Sequence, residues 1–229
     1  MKISVIIPTY NEAENIKIIV PQLSKVLKRF PHEIIIVDDN SPDGTMKVAK
    51  KLSEFYPVKV VMREKKMGLS SAIIDGFKNA DGNIYGVIDA DLQHPPELII
   101  RMVSKIIEGY DLVIASRYVE GGKIEGWSLV RRFISKIAIR LAKPLTNVKD
   151  PLSGFFMLKK SVIDGVELQP KGFKLLLEIL VKGNYKNVVE IPYTFKERKI
   201  GKSKLNLSEI IQYLKLLIHL YNYSLRKRV

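Results

Sequence analysis

Apolar, β-branched runs recur through the first half of the chain, at 2–8 (KISVIIP), 33–39 (EIIIVDD), 58–62 (VKVVM), 84–90 (IYGVIDA) and 111–116 (DLVIAS). They are continuous rather than alternating, as strands covered on both faces of a parallel sheet require. Between them the apolar positions take a helical period. Asn11 with Glu14 reads as a capping box opening a helix to about Arg29. Ser41-Pro42 reads as an N-cap and first helical position, for a helix to about Phe55. A third helix fits 68–79, and Pro95-Pro96 opens a fourth through about Glu108. The alternation predicts an α/β fold with right-handed crossovers.

The second half reads differently. A glycine-containing loop at 121–127 leads into an amphipathic helix at 127–143 (WSLVRRFISKIAIRLAK). A turn at 149–155, a short strand at 155–159, a helix near 173–182, a strand at 187–192 and a basic loop at 196–204 follow. Asn206 with Glu209 reads as another capping box, opening a last helix through Leu225 that ends in Arg226-Lys227-Arg228. The expected division is 1–205 as one catalytic-type unit and 206–229 as an appended amphipathic helix.

Ligands of parallel sheets sit beyond the carboxyl ends of the strands. Those ends carry Pro8-Thr9-Tyr10-Asn11-Glu12, Asp38-Asp39 and Asp89-Ala90-Asp91. Three polar clusters on one sheet edge predict a site. Neither G-x-G-x-x-G nor G-x-x-x-x-G-K-[ST] is present, which argues against a dinucleotide or P-loop site.

Composition narrows the class. Of 229 residues, 46% are hydrophobic and 27% charged, ordinary for a globular protein. There is no run of about 18 apolar residues to cross a membrane, and the apolar run at the N-terminus is too short for a secretory signal. With no cysteine, thiol and disulfide chemistry are excluded; a cytoplasmic protein is expected. The net charge of +14 implies an anionic partner: nucleic acid, a membrane surface or a phosphorylated substrate. Generic solubility and heat adaptation give the same balance.

In an extended segment, side chains at i and i+2 point the same way, so Asp89 and Asp91 converge, with Gln93 beyond them. Two carboxylates and an amide oxygen suit Mg²⁺ or Mn²⁺, with diphosphate and water completing the octahedron. A D-x-D pair taken alone also occurs as turn or cap carboxylates, and Asp38-Asp39 before SPDGT has the same alternative. His94, between Gln93 and two prolines, reads as a packed loop residue rather than a ligand.

VIIPTYNEAENI, VDDNSPDGT, GLSSAIIDGFKNADG, DADLQHPPE, ASRYVEGG and DPLSGFF, in this order, resemble the family 2 glycosyltransferases of the GT-A fold. More narrowly, they resemble the dolichol-phosphate (polyprenol-phosphate) mannose synthases. The resemblance covers 1 to about 205 and implies a GT-A (Rossmann-like), mostly parallel sheet with C-terminal amphipathic interface helices. It implies inverting transfer of mannose from GDP-mannose to dolichyl or another polyprenyl phosphate, at the cytoplasmic face of a membrane. Carried over by motif, Pro8, Tyr10 and Glu12 line the nucleotide pocket. Val37 and Asp39 face the base or ribose, with Asp39 taking a ribose hydroxyl. Asp89, Ala90 and Asp91 lie along the ribose and diphosphate, and Asp91 with Gln93 holds the metal, Mg²⁺ or Mn²⁺.

A lipid monophosphate is already anionic, so it attacks without the general base a hydroxyl acceptor needs. The protein must instead hold two anionic groups close together, which calls for cations. Arg117 follows the fifth strand, and Arg131 and Ser135 share a helical strip; these three are assigned to the acceptor phosphate, with Arg117 counted among the catalytic residues beside Asp89 and Asp91. Arg198 and Lys204, with Lys174, are assigned to the donor diphosphate, and Lys202 is an alternative to either loop residue. Glu178 is expected to pair rather than act as a base.

Leu129, Val130, Phe133, Ile134, Ile137, Ala138 and Leu141 form one apolar face, opposite Arg132, Lys136, Arg140 and Lys143. Ile210, Ile211, Leu214, Leu217, Ile218 and Tyr221 form another. Such helices lie in a membrane interface or pack on their own domain. The expectation is peripheral attachment, either by the chain itself or through a membrane-anchored partner subunit. The nearest rival is a polyprenol-phosphate glucosyl- or N-acetylhexosaminyl-transferase using a UDP-sugar. A processive polysaccharide synthase lacks support because Q-x-x-R-W is missing, and a sugar nucleotidyltransferase because the first loop is neither glycine-rich nor basic. A nucleic-acid-binding module lacks any helix-turn-helix, zinc or RNP-like signature, so no nucleic-acid partner is expected.

Overall fold

The structure, a computed structural model, describes residues 1–169, 174–196 and 207–227. The chain runs β1 (Ile3–Thr9), α1 (Ala13–Leu27), β2 (His32–Asp38), α2 (Thr45–Leu52), β3 (Val58–Met62), α3 (Leu69–Lys78), β4 (Ile84–Val87), α4 (Leu98–Ile107) and β5 (Leu112–Ser116). It continues with β6 (Lys123–Ile124), α5 (Leu129–Ala142), β7 (Phe156–Lys159), α6 (Leu175–Lys182), β8 (Val188–Pro192), β9 (Thr194–Phe195) and α7 (Leu207–Arg226).

Seven strands form one sheet in the order β3-β2-β1-β4-β7-β5-β8; β6 and β9 pair apart from it. All neighbours in the large sheet are parallel except β7, which runs antiparallel between β4 and β5. Every residue of β1 is buried. Its Ile3, Val5 and Ile7 pack with Ile16, Ile19 and Leu23 of α1 and Ile99, Met102 and Val103 of α4. Ile6 packs on the other face with Ala72, Ile73 and Phe77 of α3 and Ile179 of α6. Two-sided burial is the physical reason these strands lack polar alternation. Edge strand β3, which is only half covered, does carry Lys59.

The cap expectations were wrong in detail. Asn11 takes a left-handed φ of 60° and does not cap. Instead the 41–45 loop caps α1 from outside: Asn11, Glu12 and Ala13 amides donate to Ser41 Oγ at 2.9 Å, Thr45 Oγ1 at 3.0 Å and Asp43 Oδ2 at 3.1 Å. Ser41 does not start α2; its amide and hydroxyl donate to Asp38, and Gly44, at φ 86°, precedes the helix instead. Burial would raise the Asp43 carboxyl, but the Thr45 hydroxyl and the Ala13 and Thr45 amides hold it below its ordinary range. The capping box proposed at Asn206 lies outside the described residues.

Helices α5, α6 and α7 share a separate apolar cluster built from Ile139 and Ala142, Leu177, and Tyr213, Leu216, Leu217 and Leu220. Tyr213 and Tyr221 hydroxyls of α7 donate to the Ala138 and Leu141 carbonyls of α5 at 2.6 and 2.7 Å. Leu217 and Tyr221 therefore face the protein. The outward residues stay exposed: Leu129, Val130, Phe133, Ile134, Ile137 and Leu141 on α5, and Ile210, Ile211, Leu214 and Ile218 on α7. No helix among the described residues is long and apolar enough to cross a membrane.

Candidate active site

The strand ends meet as the alternation requires. Thr9 pairs with Asp38 across β1 and β2, and Val87 of β4 pairs with Phe156 of β7. Segment 88–94 leaves β4 not as an extended strand but as a turn with Leu92 at φ 62°. The i, i+2 argument for Asp89 and Asp91, which needs an extended segment, therefore does not hold as stated. Asp91 is buried and accepts from the Gln93 amide at 3.1 Å, while the Asp89 side chain keeps about a third of its surface open. Gln93 Nε2 donates to the Lys196 carbonyl at 2.9 Å, which fixes the nitrogen as the donor end of the amide and leaves its carbonyl oxygen as the acceptor end.

The floor beneath this turn is the 149–155 loop. Gly154 lies so close that a Cβ on it would meet Asp89 Oδ2 at 2.8 Å. Ser153 Oγ donates to the Ala115 carbonyl at 2.8 Å, and the Lys149 and Asp150 amides donate to Glu190. His94 is packed as expected, its ring stacked on Phe155 at 5.3 Å with Tyr193 and Phe195 edge-on at 5.8 Å. Burial, opposed in part by the Asp91 carboxylate, pushes the imidazole down to about 4, so it is neutral at ordinary pH.

At the ends of β1 and β2, Pro8 and Val37 are paired on neighbouring strands, and Glu12 accepts from Asn15 Nδ2 at 2.5 Å. Asp38 accepts from the Thr9 and Ser41 hydroxyls and the Ser41 amide, a structural knot. Asp39 is held by a residue the sequence reading passed over. Arg63 Nη1 lies 2.7 Å from Asp39 Oδ1, while the Met67 and Gly68 amides donate to Asp39 Oδ1 and Oδ2 at 2.9 Å each. Arg63 also reaches the Ser71 hydroxyl and Asp75. A carboxylate offers about four acceptor positions; three are taken, leaving one on Oδ2. The signal for Arg63 was its place just beyond the carboxyl end of β3.

The basic corner is assembled around Trp127. Arg117 Cζ lies 5.3 Å and Arg131 Cζ 4.3 Å from that ring, and Ser135 Oγ is 2.8 Å from the Tyr118 hydroxyl, whose ring Arg117 also faces at 5.5 Å. Arg117, Arg131 and Ser135 are thus brought together. Arg117 is also locked from below: Nε and Nη2 donate to Asp150 at 2.8 and 2.7 Å, and its amide donates to the same carboxylate at 2.9 Å. Burial disfavours the guanidinium charge, but Asp150 overcomes this and raises its pKa. Lys174 Nζ donates to the Leu152 carbonyl at 3.2 Å. Burial and then the Arg117 charge push it down to about 8. Glu178 pairs with Lys182 at 2.6 Å inside the fold. Arg198, Lys202 and Lys204 lie outside the described residues.

The chemistry of the donor set can be tested for a metal. Among the described residues no three His, Cys, Asp or Glu are grouped to hold one. What the turn offers is two carboxylates and an amide oxygen, all hard donors, so the remaining positions fall to phosphate and water. The residues fit a Mg²⁺-type or Mn²⁺-type ion of that kind.

The family model "Glycosyl transferase family 2" matches residues 4–166. The chain belongs to this family. It is 52% identical over 225 residues to a dolichol-phosphate mannosyltransferase of Pyrococcus furiosus, covering 96% of this chain and 63% of that protein. It is 38% identical to the protein of the same name from Mycosarcoma maydis and 37% to that from Saccharomyces cerevisiae, spanning 79% and 87% of them. Among solved structures it is similar to glucosyl-3-phosphoglycerate synthase of Mycobacterium tuberculosis in complex with Mn²⁺, UDP-glucose and glycerol 3-phosphate, with a TM-score of 0.69 at 20% identity over 97% of this chain and 79% of that one. The mannosyl-3-phosphoglycerate synthase of Rubrobacter xylanophilus gives 0.68 at 18% identity, over 100% of this chain and 75% of that one. At such identities these likenesses show the fold, which is GT-A.

Proposed function

We propose that the chain transfers mannose from GDP-mannose to dolichyl or a related polyprenyl phosphate, with inversion, as a divalent-metal-dependent hexosyltransferase. The observation that carries this reading is 52% identity, across 96% of the chain, to a protein named for that activity. The geometry agrees with it: an oxygen-donor turn and a pair of guanidiniums sit at one sheet edge.

In this reading Pro8, Tyr10, Glu12, Val37 and Asp39 hold the nucleoside, with Asp39 accepting from a ribose hydroxyl. Asp89 and Ala90 lie along the diphosphate, and Asp91 with Gln93 holds Mg²⁺ or Mn²⁺. When bound, that ion neutralises the leaving diphosphate. Lys174, with Arg198 and Lys204 from the loop, adds cations to it. Arg117, Arg131 and Ser135 bind the acceptor phosphate. One phosphate oxygen then forms the bond to the anomeric carbon as the bond to GDP breaks. No side chain has to remove a proton, because the acceptor is already ionised. Asp150 keeps the Arg117 fork in place, so its charge is ordered before substrate arrives.

The acceptor's chains place the reaction at a membrane surface. The exposed apolar residues of α5 and α7, beside Arg132, Lys136 and Arg140, form a basic amphipathic face suited to that surface. Attachment at the cytoplasmic leaflet, directly or with a membrane-anchored partner, follows from this reading.

Thermal protection tests the donor. GDP with Mn²⁺ should raise Tm, GDP without metal should raise it far less, and UDP should protect weakly. Protection by UDP alone would move the protein to the glucosyl-type rival, and salt-sensitive binding to duplex DNA without nucleotide protection would reject both.

A further inference from the structure

The 63–68 loop carries a feature that the assigned pocket residues do not use. It is fastened to the end of β2 on both sides: Asn40 Nδ2 donates to the Glu64 carbonyl at 3.0 Å, and Asp39 takes Arg63 Nη1 and the Met67 and Gly68 amides. Gly68 turns the chain there at φ 96°, a conformation glycine adopts without a Cβ penalty. Between these anchors Lys66 is thrown across the carboxyl edge of the sheet, so that its Nζ sits 3.6 Å from the centroid of the Tyr10 ring. Among the described residues Lys66 makes no ion pair. An ammonium over a ring is held by about 0.5–1 kcal/mol when exposed, little enough to be exchanged for a better partner.

We propose that Lys66 selects guanine, donating from Nζ to the O6 and N7 edge of a purine stacked against Tyr10. This rests on the assignment of the Tyr10–Asp39 corner to the nucleoside. An ammonium is a donor only, and the bases differ in what they offer it. Guanine presents two adjacent acceptors, N7 and O6; adenine sets an amino donor beside N7; a pyrimidine keto edge presents a single oxygen. A cation tethered at this edge therefore favours guanine over uracil and adenine, whereas a cation acting on the diphosphate would treat them alike. The arrangement fits a stacking base, because the lysine and the ring it would share with the purine come from two loops held to the same carboxylate end of the sheet.

The test is nucleotide affinity of the full chain with Mn²⁺ present, by calorimetry, for GDP, inosine diphosphate, 7-deaza-GDP, ADP and UDP. It is run on wild type, Lys66→Met and Lys66→Arg, each first shown to have an unchanged Tm. Wild type should bind GDP and inosine diphosphate alike, and 7-deaza-GDP several-fold more weakly. Lys66→Met should lose about tenfold toward GDP, should no longer distinguish 7-deaza-GDP, and should be altered by less than about twofold toward UDP. Lys66→Arg should keep the preference. Equal losses for GDP and UDP in Lys66→Met, or a GDP preference that survives it, overturns this inference while the donor reading stands. A wild type that prefers UDP, or binds no nucleotide, overturns the donor reading and this inference together.

Discussion

Gly154 and Asp89, 65 positions apart in the chain, approach so closely that a Cβ at 154 would stand 2.8 Å from Asp89 Oδ2. The SGF loop therefore sets where the first carboxylate of the turn can lie. Gly154→Ala must push that carboxylate aside, and a displacement of about 1 Å at a reacting centre costs up to ~100-fold. We expect kcat/KM to fall about 10- to 100-fold with Tm little altered, measured by steady-state kinetics beside a melting curve. Unchanged kinetics would mean that Asp89 does not need this position.

Arg117 and Asp150 form a buried pair with two side-chain hydrogen bonds at 2.8 and 2.7 Å. Removing one partner leaves the other as an uncompensated buried charge, which costs about 3–5 kcal/mol. Asp150→Ala should lower Tm by about 6 °C or more for a chain of this size, and weaken acceptor phosphate more than donor. A Tm within about 1 °C of wild type would show that the guanidinium finds other partners.

Much of the fold was legible because its strands are buried on both faces. Ile34–Val37 and Leu112–Ala115 can only be read as inner strands of a covered sheet. What was not legible depended on contacts distant in sequence. Strand β7 carries nothing at Phe156–Lys159 that announces an antiparallel insertion between β4 and β5. Asn11 with Glu14 matched a local cap rule, but Asp43 and Thr45 of another loop satisfied those amides first. The candidate site was read from motifs at strand ends. Of its supports, Arg63 was marked only by its place beyond β3 and Asp150 only as the first residue of DPLSGFF; that they brace Asp39 and Arg117 depends on contacts between positions distant in the chain.

Lys174 gives a pH prediction. Burial and the Arg117 charge bring it down to about 8, and only the protonated form attracts a diphosphate. That form is present below about 8 and is lost as pH rises through it, so GDP affinity should fall above that pH. Lys174→Met should bind more weakly at low pH and show a flatter profile. Parallel profiles for the two proteins would remove Lys174 from the donor site.

The outward faces of α5 and α7 predict a separable membrane defect. Phe133 is 66% exposed and Ile137 44% exposed, so Phe133→Ser with Ile137→Ser should alter stability by no more than about 0.5 kcal/mol per site. Co-sedimentation with anionic vesicles should fall several-fold, and transfer to a long-chain acceptor should fall more than transfer to a short water-soluble one. Full vesicle binding by the double variant would show that another surface docks.

The most direct measurement is formation of lipid-linked mannose from GDP-mannose and a short polyprenyl phosphate with Mn²⁺, for wild type and Asp91→Asn. The account predicts product from GDP-mannose and not from UDP-glucose, dependence on the metal, and loss of at least about 100-fold in Asp91→Asn with the fold intact. Product formed equally well by the variant, or without metal, would contradict the assignment of the Asp89–Gln93 turn to the diphosphate.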